Sequence, residues 1–234
     1  MKIVNRYERN FLSEKEQKTL LNTRVLIAGC GGLGASVITN LASIGVGNIV
    51  LLDFDKVEET NFNRQFIHTE KNLGKLKTFS AKEFIENYNS DINVDVVNER
   101  LTIDNAFRII ENYDCILDCL DNWESKFLLN KICTTKKIPL VHGGVEKTYG
   151  QVFSILPEGA CLECFVENSK QSVDKKILAP VVNLMGSLMA DECLKILLKE
   201  KKDFSEILMY DFSRTEFKKI RVNKNKKCKV CNNI

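Results

Sequence analysis

The sequence predicts an α/β protein, with a Rossmann-like, mainly parallel sheet extended by antiparallel strands and a structural four-cysteine zinc site. Three observations carry that expectation. Apolar runs alternate with stretches of helical periodicity through residues 13–142, the pattern of βα units. The glycine-rich turn "GCGGLG" at 29–34 joins an apolar run to a helical one. Two CxxC pairs, "CLEC" at 161–164 and "CKVC" at 228–231, lie 63 residues apart.

In chain order, strands are expected near 24–30, 48–54, 92–98, 114–119 and 138–142, and helices near 13–21, 33–44, 74–88, 103–112, 122–136 and 181–199. Gly45 and Gly47 close the second helix, and Pro139 stands directly before an extended run. After residue 143 the pattern changes. "GGVEKTYGQVFSIL" at 143–156 and "ILMYDFSRTEFKKIRV" at 207–222 alternate polar and apolar residues, as antiparallel strands do.

Length and composition bound the function. With 234 residues, 44% of them hydrophobic, the chain has enough apolar side chain for a folded core. Only three prolines occur and no linker is evident, so residues 1–234 are expected to form a single domain. The longest apolar candidate, 181–199, contains Asn183, Asp191, Glu192 and Lys195, which argues against a membrane span. The N-terminus has no apolar signal core, and a cytoplasmic protein is expected. A net charge of +3 makes nucleic acid an improbable partner, although the lysine-rich stretch 218–229 gives the C-terminal end a local positive field.

The glycine loop points to a nucleotide. Gly29, Gly31, Gly32 and Gly34 permit a tight strand-to-helix turn that aims a helix N-terminus at phosphate. Asp53, nineteen residues after Gly34, is placed to accept hydrogen bonds from ribose hydroxyls. Such a loop does not by itself distinguish NAD, FAD, ATP and S-adenosylmethionine. Asn61, Arg64, Gln65 and Lys77 follow, and the two fixed cations suit a polyphosphate, although each also reads as a surface ion-pair partner. Asp121, at the carboxyl end of the fourth strand, would repel a triphosphate unless it holds Mg²⁺. Asp121 or Asn122 also reads as the cap of the helix that follows.

Cys161, Cys164, Cys228 and Cys231 have the paired spacing of a tetrahedral zinc site; a redox CxxC is the alternative. Cys30, Cys115, Cys119, Cys133 and Cys193 are expected to be small core residues. His68, in a surface segment, and His142, ending a strand, are expected to be structural.

"RYERN" at 6–10, "GCGGLG", "LLDFDKVEETNFNRQF" at 51–66, "LGKLK" at 73–77, "DCLDN" at 118–122, "YGQV" at 149–152, the CxxC pairs and "GSLMADECLK" at 186–195 recur together along nearly the whole chain. This set resembles the HesA/MoeB/ThiF family, the adenylyltransferases of ubiquitin-like sulfur carriers. The resemblance implies ATP-dependent activation of a small carrier protein at its C-terminal Gly-Gly, giving an acyl-adenylate and pyrophosphate. It assigns Asp53 to the ATP ribose, Asn61, Arg64 and Lys77 to the phosphates, and Asp121 to Mg²⁺. Arg9 resembles the arginine that family members extend across a homodimer interface into the neighbouring site. The resemblance also implies a nucleotide-binding half over about 1–143 and a carrier-binding and zinc half over about 144–234. Many relatives have one more cysteine in the segment before "AP" at 179–180; here Ser172 stands near its place, which puts a covalent carrier intermediate in doubt. No sulfurtransferase domain is read after the second CxxC pair, so sulfur is expected from a separate donor protein. Two alternatives stand beside this reading: the same chemistry on a peptide precursor or a tRNA-linked carboxylate, and a nonenzymatic dinucleotide-binding sensor.

Overall fold

A computed structural model describes residues 5–166, 176–200 and 206–232. The described residues open with a 3-10 turn at Asn5–Tyr7, followed by α1, Glu14–Asn22. Ser13 sets that helix start through a capping box: its hydroxyl accepts from the Glu16 N–H, and the Glu16 carboxylate accepts from the Ser13 N–H at 2.7 Å. Next come β1 (Arg24–Ala28), α2 (Gly32–Ile44), β2 (Asn48–Leu52), α3 (Lys77–Tyr88), β3 (Asn93–Val97), α4 (Ile103–Ile109), β4 (Cys115–Asp118) and α5 (Trp123–Lys136). The second half contributes β5 (Leu140–Glu146), β6 (Tyr149–Ile155), α6 (Ala179–Leu197), β7 (Glu206–Asp211) and β8 (Glu216–Arg221).

All eight strands form one sheet in the order β3-β2-β1-β4-β5-β6-β7-β8. The first five are parallel, and β5 through β8 pair antiparallel. The central strands are apolar on both faces because both faces are covered; Val25, Leu26, Ile27 and Ala28 are fully buried. One core lies between the sheet and α2, α3 and α6, and the other between the sheet and α4, α5 and the cysteine turn at Leu162–Cys164. Helices α2 and α6 pack closely at Gly186, where a side chain would meet the Ser36 Cβ and the Leu33 carbonyl.

Element boundaries moved where backbone chemistry intervened. The helix expected over 74–88 starts at Lys77, because Gly74 holds φ +80° in the turn before it. The helix expected over 103–112 stops at Ile109, and Asn112 turns the chain with φ 58°. The helix expected from 181 starts two residues earlier, with Pro180 in its first turn where no N–H is missed. Strand β5 continues past residue 142 to Glu146, because residues 140–146 pair along their whole length with β6.

Strand order reverses direction between β1 and β4: β2 and β3 lie to one side, β5 and β6 to the other. Ligands in open α/β sheets collect at such a switch point, outside the carboxyl ends of the strands.

Candidate active site

A cleft of about 1130 Å³ opens at that point. Its floor is the turn after β1. Gly29 takes φ +100°, and a Cβ there would stand 2.6 Å from the Cys119 carbonyl oxygen, so only glycine lets β1 and β4 end so close together. Gly29, Gly31 and Gly32 line the cleft with the N-terminus of α2 behind them. Gly34 does not line it; it lies beneath the Gly29 carbonyl, where any side chain would collide, so its role is packing rather than contact.

The turn is held from both sides. Asp53 accepts from the Cys30 N–H at 2.7 Å and, through its other oxygen, from the Asp55 N–H at 2.8 Å. Burial pushes the Asp53 carboxyl above its usual range, against the pull of these hydrogen bonds and of Lys77. His68 is not a surface residue: it is buried, packed against the loop, because the segment 61–72 folds inward through two 3-10 turns. Its Nε2 lies 2.9 Å from the Cys30 carbonyl, which only accepts, so Nε2 carries the proton, and Nδ1 accepts from the Ser80 hydroxyl at 2.8 Å. Burial lowers the His68 pKa and keeps the ring neutral.

Six more of the sequence-predicted residues converge on the same cleft. Asn61, Arg64, Gln65, Lys77, Asp121 and Asn122 all line it. Asn61 is buried and accepts from the Glu58 N–H at 3.1 Å, fixing the turn that presents Arg64. The Arg64 guanidinium donates to the Thr60 carbonyl at 3.0 Å and to Asn63 Oδ1 at 2.8 Å. Gln65 is 3% exposed and its Oε1 has no hydrogen-bond partner among the described residues. Lys77, at the first turn of α3, pairs with Asp55 at 3.0 Å. Asp121 is exposed at the rim, and Asn122 is the residue that caps α5, accepting from the Ser125 N–H at 2.9 Å. Arg9 is exposed and does not line the cleft of its own chain. Ser172 lies outside the described residues.

Sequence reasoning missed a buried polar network on the β4–β6 side. Asp118 is fully buried, and Lys126 Nζ lies 3.2 Å from both its oxygens and 2.8 Å from the Gly143 carbonyl. His142 Nδ1 lies 2.6 Å from Asp118 Oδ2, and His142 Nε2 3.4 Å from Gln151 Nε2. Burial opposes the Asp118 charge, but Lys126 and then His142 outweigh it and hold its pKa below the ordinary value. Burial first, and the Lys126 charge second, lower the His142 pKa, leaving the imidazole neutral. Lys126, His142 and Gln151 line the cleft, as do Phe54 and Arg100 on the β2 side, whose ring and guanidinium stack at 5.7 Å.

The cysteines separate as expected. The Sγ atoms of Cys161, Cys164, Cys228 and Cys231 all lie within 4.8 Å of one another, with 3.6 Å between Cys161 and Cys228 and 3.4 Å between Cys164 and Cys231. Four thiolates at ~2.3 Å from one ion stand about 3.8 Å apart, so the cluster is positioned for a tetrahedral metal. Cys30, Cys115, Cys119, Cys133 and Cys193 are buried in the two cores.

Known proteins resemble this chain along most of its length. The family model described as "ThiF family" matches residues 5–230. The chain is 32% identical to the SAMP-activating enzyme E1 of Haloferax volcanii, over 97% of this chain and 88% of that protein. It is 37% identical to the molybdopterin-synthase adenylyltransferase of Escherichia coli, over 92% of this chain and 89% of that one. Among solved structures, E. coli MccB with ATP superposes with a TM-score of 0.83 at 25% identity, covering 92% of this chain and 69% of that one. With the family model matched over residues 5–230 and relatives named as adenylyltransferases aligned over more than nine-tenths of it, the chain belongs to the ThiF family and is an adenylyltransferase.

Proposed function

We propose that this enzyme activates the C-terminal Gly-Gly carboxylate of a small ubiquitin-like sulfur carrier protein as an acyl-adenylate, with Mg²⁺-ATP as the other substrate. One observation carries this reading: a single continuous cleft runs from the glycine loop and Asp53 to a wall built by β5, β6 and β7, with room at one end for a nucleotide and at the other for a chain terminus. The names of the relatives agree with it, since SAMP activation and molybdopterin-synthase adenylylation are what those proteins are named for.

In the reaction a carboxylate oxygen of the carrier bonds to the α-phosphorus while the bond from that phosphorus to the bridging oxygen breaks, and the electron pair leaves with pyrophosphate. No proton need move; the barrier is negative charge meeting negative charge. Asp53 holds the ribose, and the loop N–H groups with the α2 N-terminus receive the phosphates. Asn61, Arg64 and Lys77 grip them, Lys77 exchanging Asp55 for phosphate oxygen, and Gln65 lines the cleft beside them. Asn122 keeps Asp121 in place by capping α5. The Asp121 carboxylate at the rim, facing the same cleft as the loop, suits Mg²⁺, which when bound neutralises phosphate charge as a Lewis acid. Zinc in the four-cysteine cluster is structural, the protein works as a cytoplasmic homodimer with Arg9 serving the neighbouring site, and the sulfur that follows adenylation comes from a separate protein.

Exchange of labelled pyrophosphate into ATP tests the proposal. Exchange that depends on a Gly-Gly-ended carrier is expected; exchange indifferent to the carrier, or triggered only by a peptide precursor or an aminoacyl-tRNA, overturns the carrier assignment.

A further inference from the structure

The β6 side of the cleft contains an acceptor that the nucleotide does not account for. Asp53 stands at the end of β2 and the glycine loop at the end of β1, so a nucleotide held by both extends toward β2. Gln151 lies on β6, three strands away in the other direction, about 14 Å at the usual strand spacing. That end of the cleft belongs to the acyl substrate.

The orientation of Gln151 follows from its neighbours. Lys126 fixes Asp118, and Asp118 accepts only, so His142 donates to it from Nδ1. A neutral ring protonated there offers a lone pair at Nε2, so the Gln151 amide nitrogen is the donor across the 3.4 Å contact. The amide lies over Gly144, its cross-strand partner, where a Cβ would come within 3.3 Å of both Cγ and Nε2. With nitrogen turned to His142, the side-chain oxygen is left for the cleft that Gln151 lines.

We propose that the Gln151 side-chain oxygen accepts a hydrogen bond from the last peptide N–H of the substrate's tail, with Lys126, Asp118 and His142 as positioning residues that set its orientation. The site thereby selects a peptide or protein C-terminus whose final amide is unsubstituted. This rests on the carrier reading above.

The test uses a ubiquitin-like carrier domain ligated to a synthetic tail ending either in Gly-Gly or in Gly-sarcosine, whose last amide has a methyl in place of hydrogen. In carrier-dependent exchange the wild-type enzyme is expected to prefer Gly-Gly by about tenfold, the scale of one hydrogen bond and its unpaired partner. Gln151→Ala is expected to raise KM for the Gly-Gly carrier by a similar factor, leave KM for ATP unchanged and erase the preference. Gly144→Ala, which leaves the glutamine in place but displaces its amide, is expected to weaken the preference. A wild-type-sized preference surviving in Gln151→Ala overturns the inference while the carrier reading stands. A wild-type enzyme inactive with the Gly-Gly carrier overturns both.

Discussion

Single residues of the nucleotide end were legible in the sequence because their chemistry is local to a motif: glycines where backbone must approach backbone, Asp53 at a strand end, cations beside them. Asp118, Lys126 and His142 were not, since each is ordinary alone and only the β4–β5 pairing and the first turns of α5 bring them together. His68 was misread for the same reason, its burial depending on a loop that folds inward. The network has a stability consequence. Removing the ammonium from the buried Asp118–Lys126 pair leaves a buried carboxylate without its counter-charge, so Lys126→Ala is expected to cost about 3–5 kcal/mol in urea unfolding. Acid sensitivity follows as well. His68 and His142 have folded pKa values below the usual 6.5, so the unfolded chain takes up protons first as pH falls. Their contribution is constant above pH ~6.5 and stability is lost below it. Asp118, whose folded value is depressed, adds a further loss once pH falls through the ordinary carboxylate range. Urea midpoints measured from pH 8 to pH 5 are expected to decline below 6.5, and His68→Gln is expected to flatten part of that decline; a flat profile in the wild type contradicts the assignment of two neutral histidines.

At the scale of elements, periodicity located every named strand and helix in the parallel half, while the ends were set by features that periodicity does not register. Gly74, Asn112 and Pro180 each moved a boundary through backbone conformation rather than hydrophobicity. The short 3-10 turns that carry Asn61 and bury Gln65 were likewise invisible, because three residues give no period to read. The β1–α2 turn shows how strictly an element end is specified. In Gly34→Ala the new methyl meets the Gly29 carbonyl, which is backbone and cannot swing away, so the turn or the helix must shift. In Gly74→Ala the methyl meets nothing within 4 Å, and the cost is the left-handed conformation alone, roughly 1–2 kcal/mol. Gly34→Ala is therefore expected to abolish detectable ATP binding by calorimetry, whereas Gly74→Ala is expected to lower the melting temperature by a few degrees and leave ATP affinity within about twofold. Equal effects of the two substitutions on ATP affinity contradict the packing role given to Gly34.

For the whole molecule, the paired CxxC spacing was readable because metal chemistry demands it, yet a single chain leaves one sequence-predicted residue without a site. Arg9 is exposed beside Phe11, an aromatic ring fully in solvent, on a segment that precedes the first helix. An exposed aromatic next to an arginine suits a protein interface. If Arg9 serves the neighbouring cleft, it acts as an arginine finger, and Arg9→Ala is expected to lower exchange activity by about 10³-fold or more. Location and rate loss alone do not separate service in trans from service in cis; mixing does. In an equal mixture of Arg9→Ala and Asp121→Ala subunits, half of the dimers are mixed. Within each mixed dimer one cleft has an intact Asp121 and receives an intact Arg9 from its neighbour, while the other lacks both. Co-expressed variants are expected to recover roughly a quarter of wild-type exchange activity under two-fold symmetry. If Arg9 reaches its own cleft instead, every site in the mixture lacks one group or the other, and activity stays at the level of the single variants.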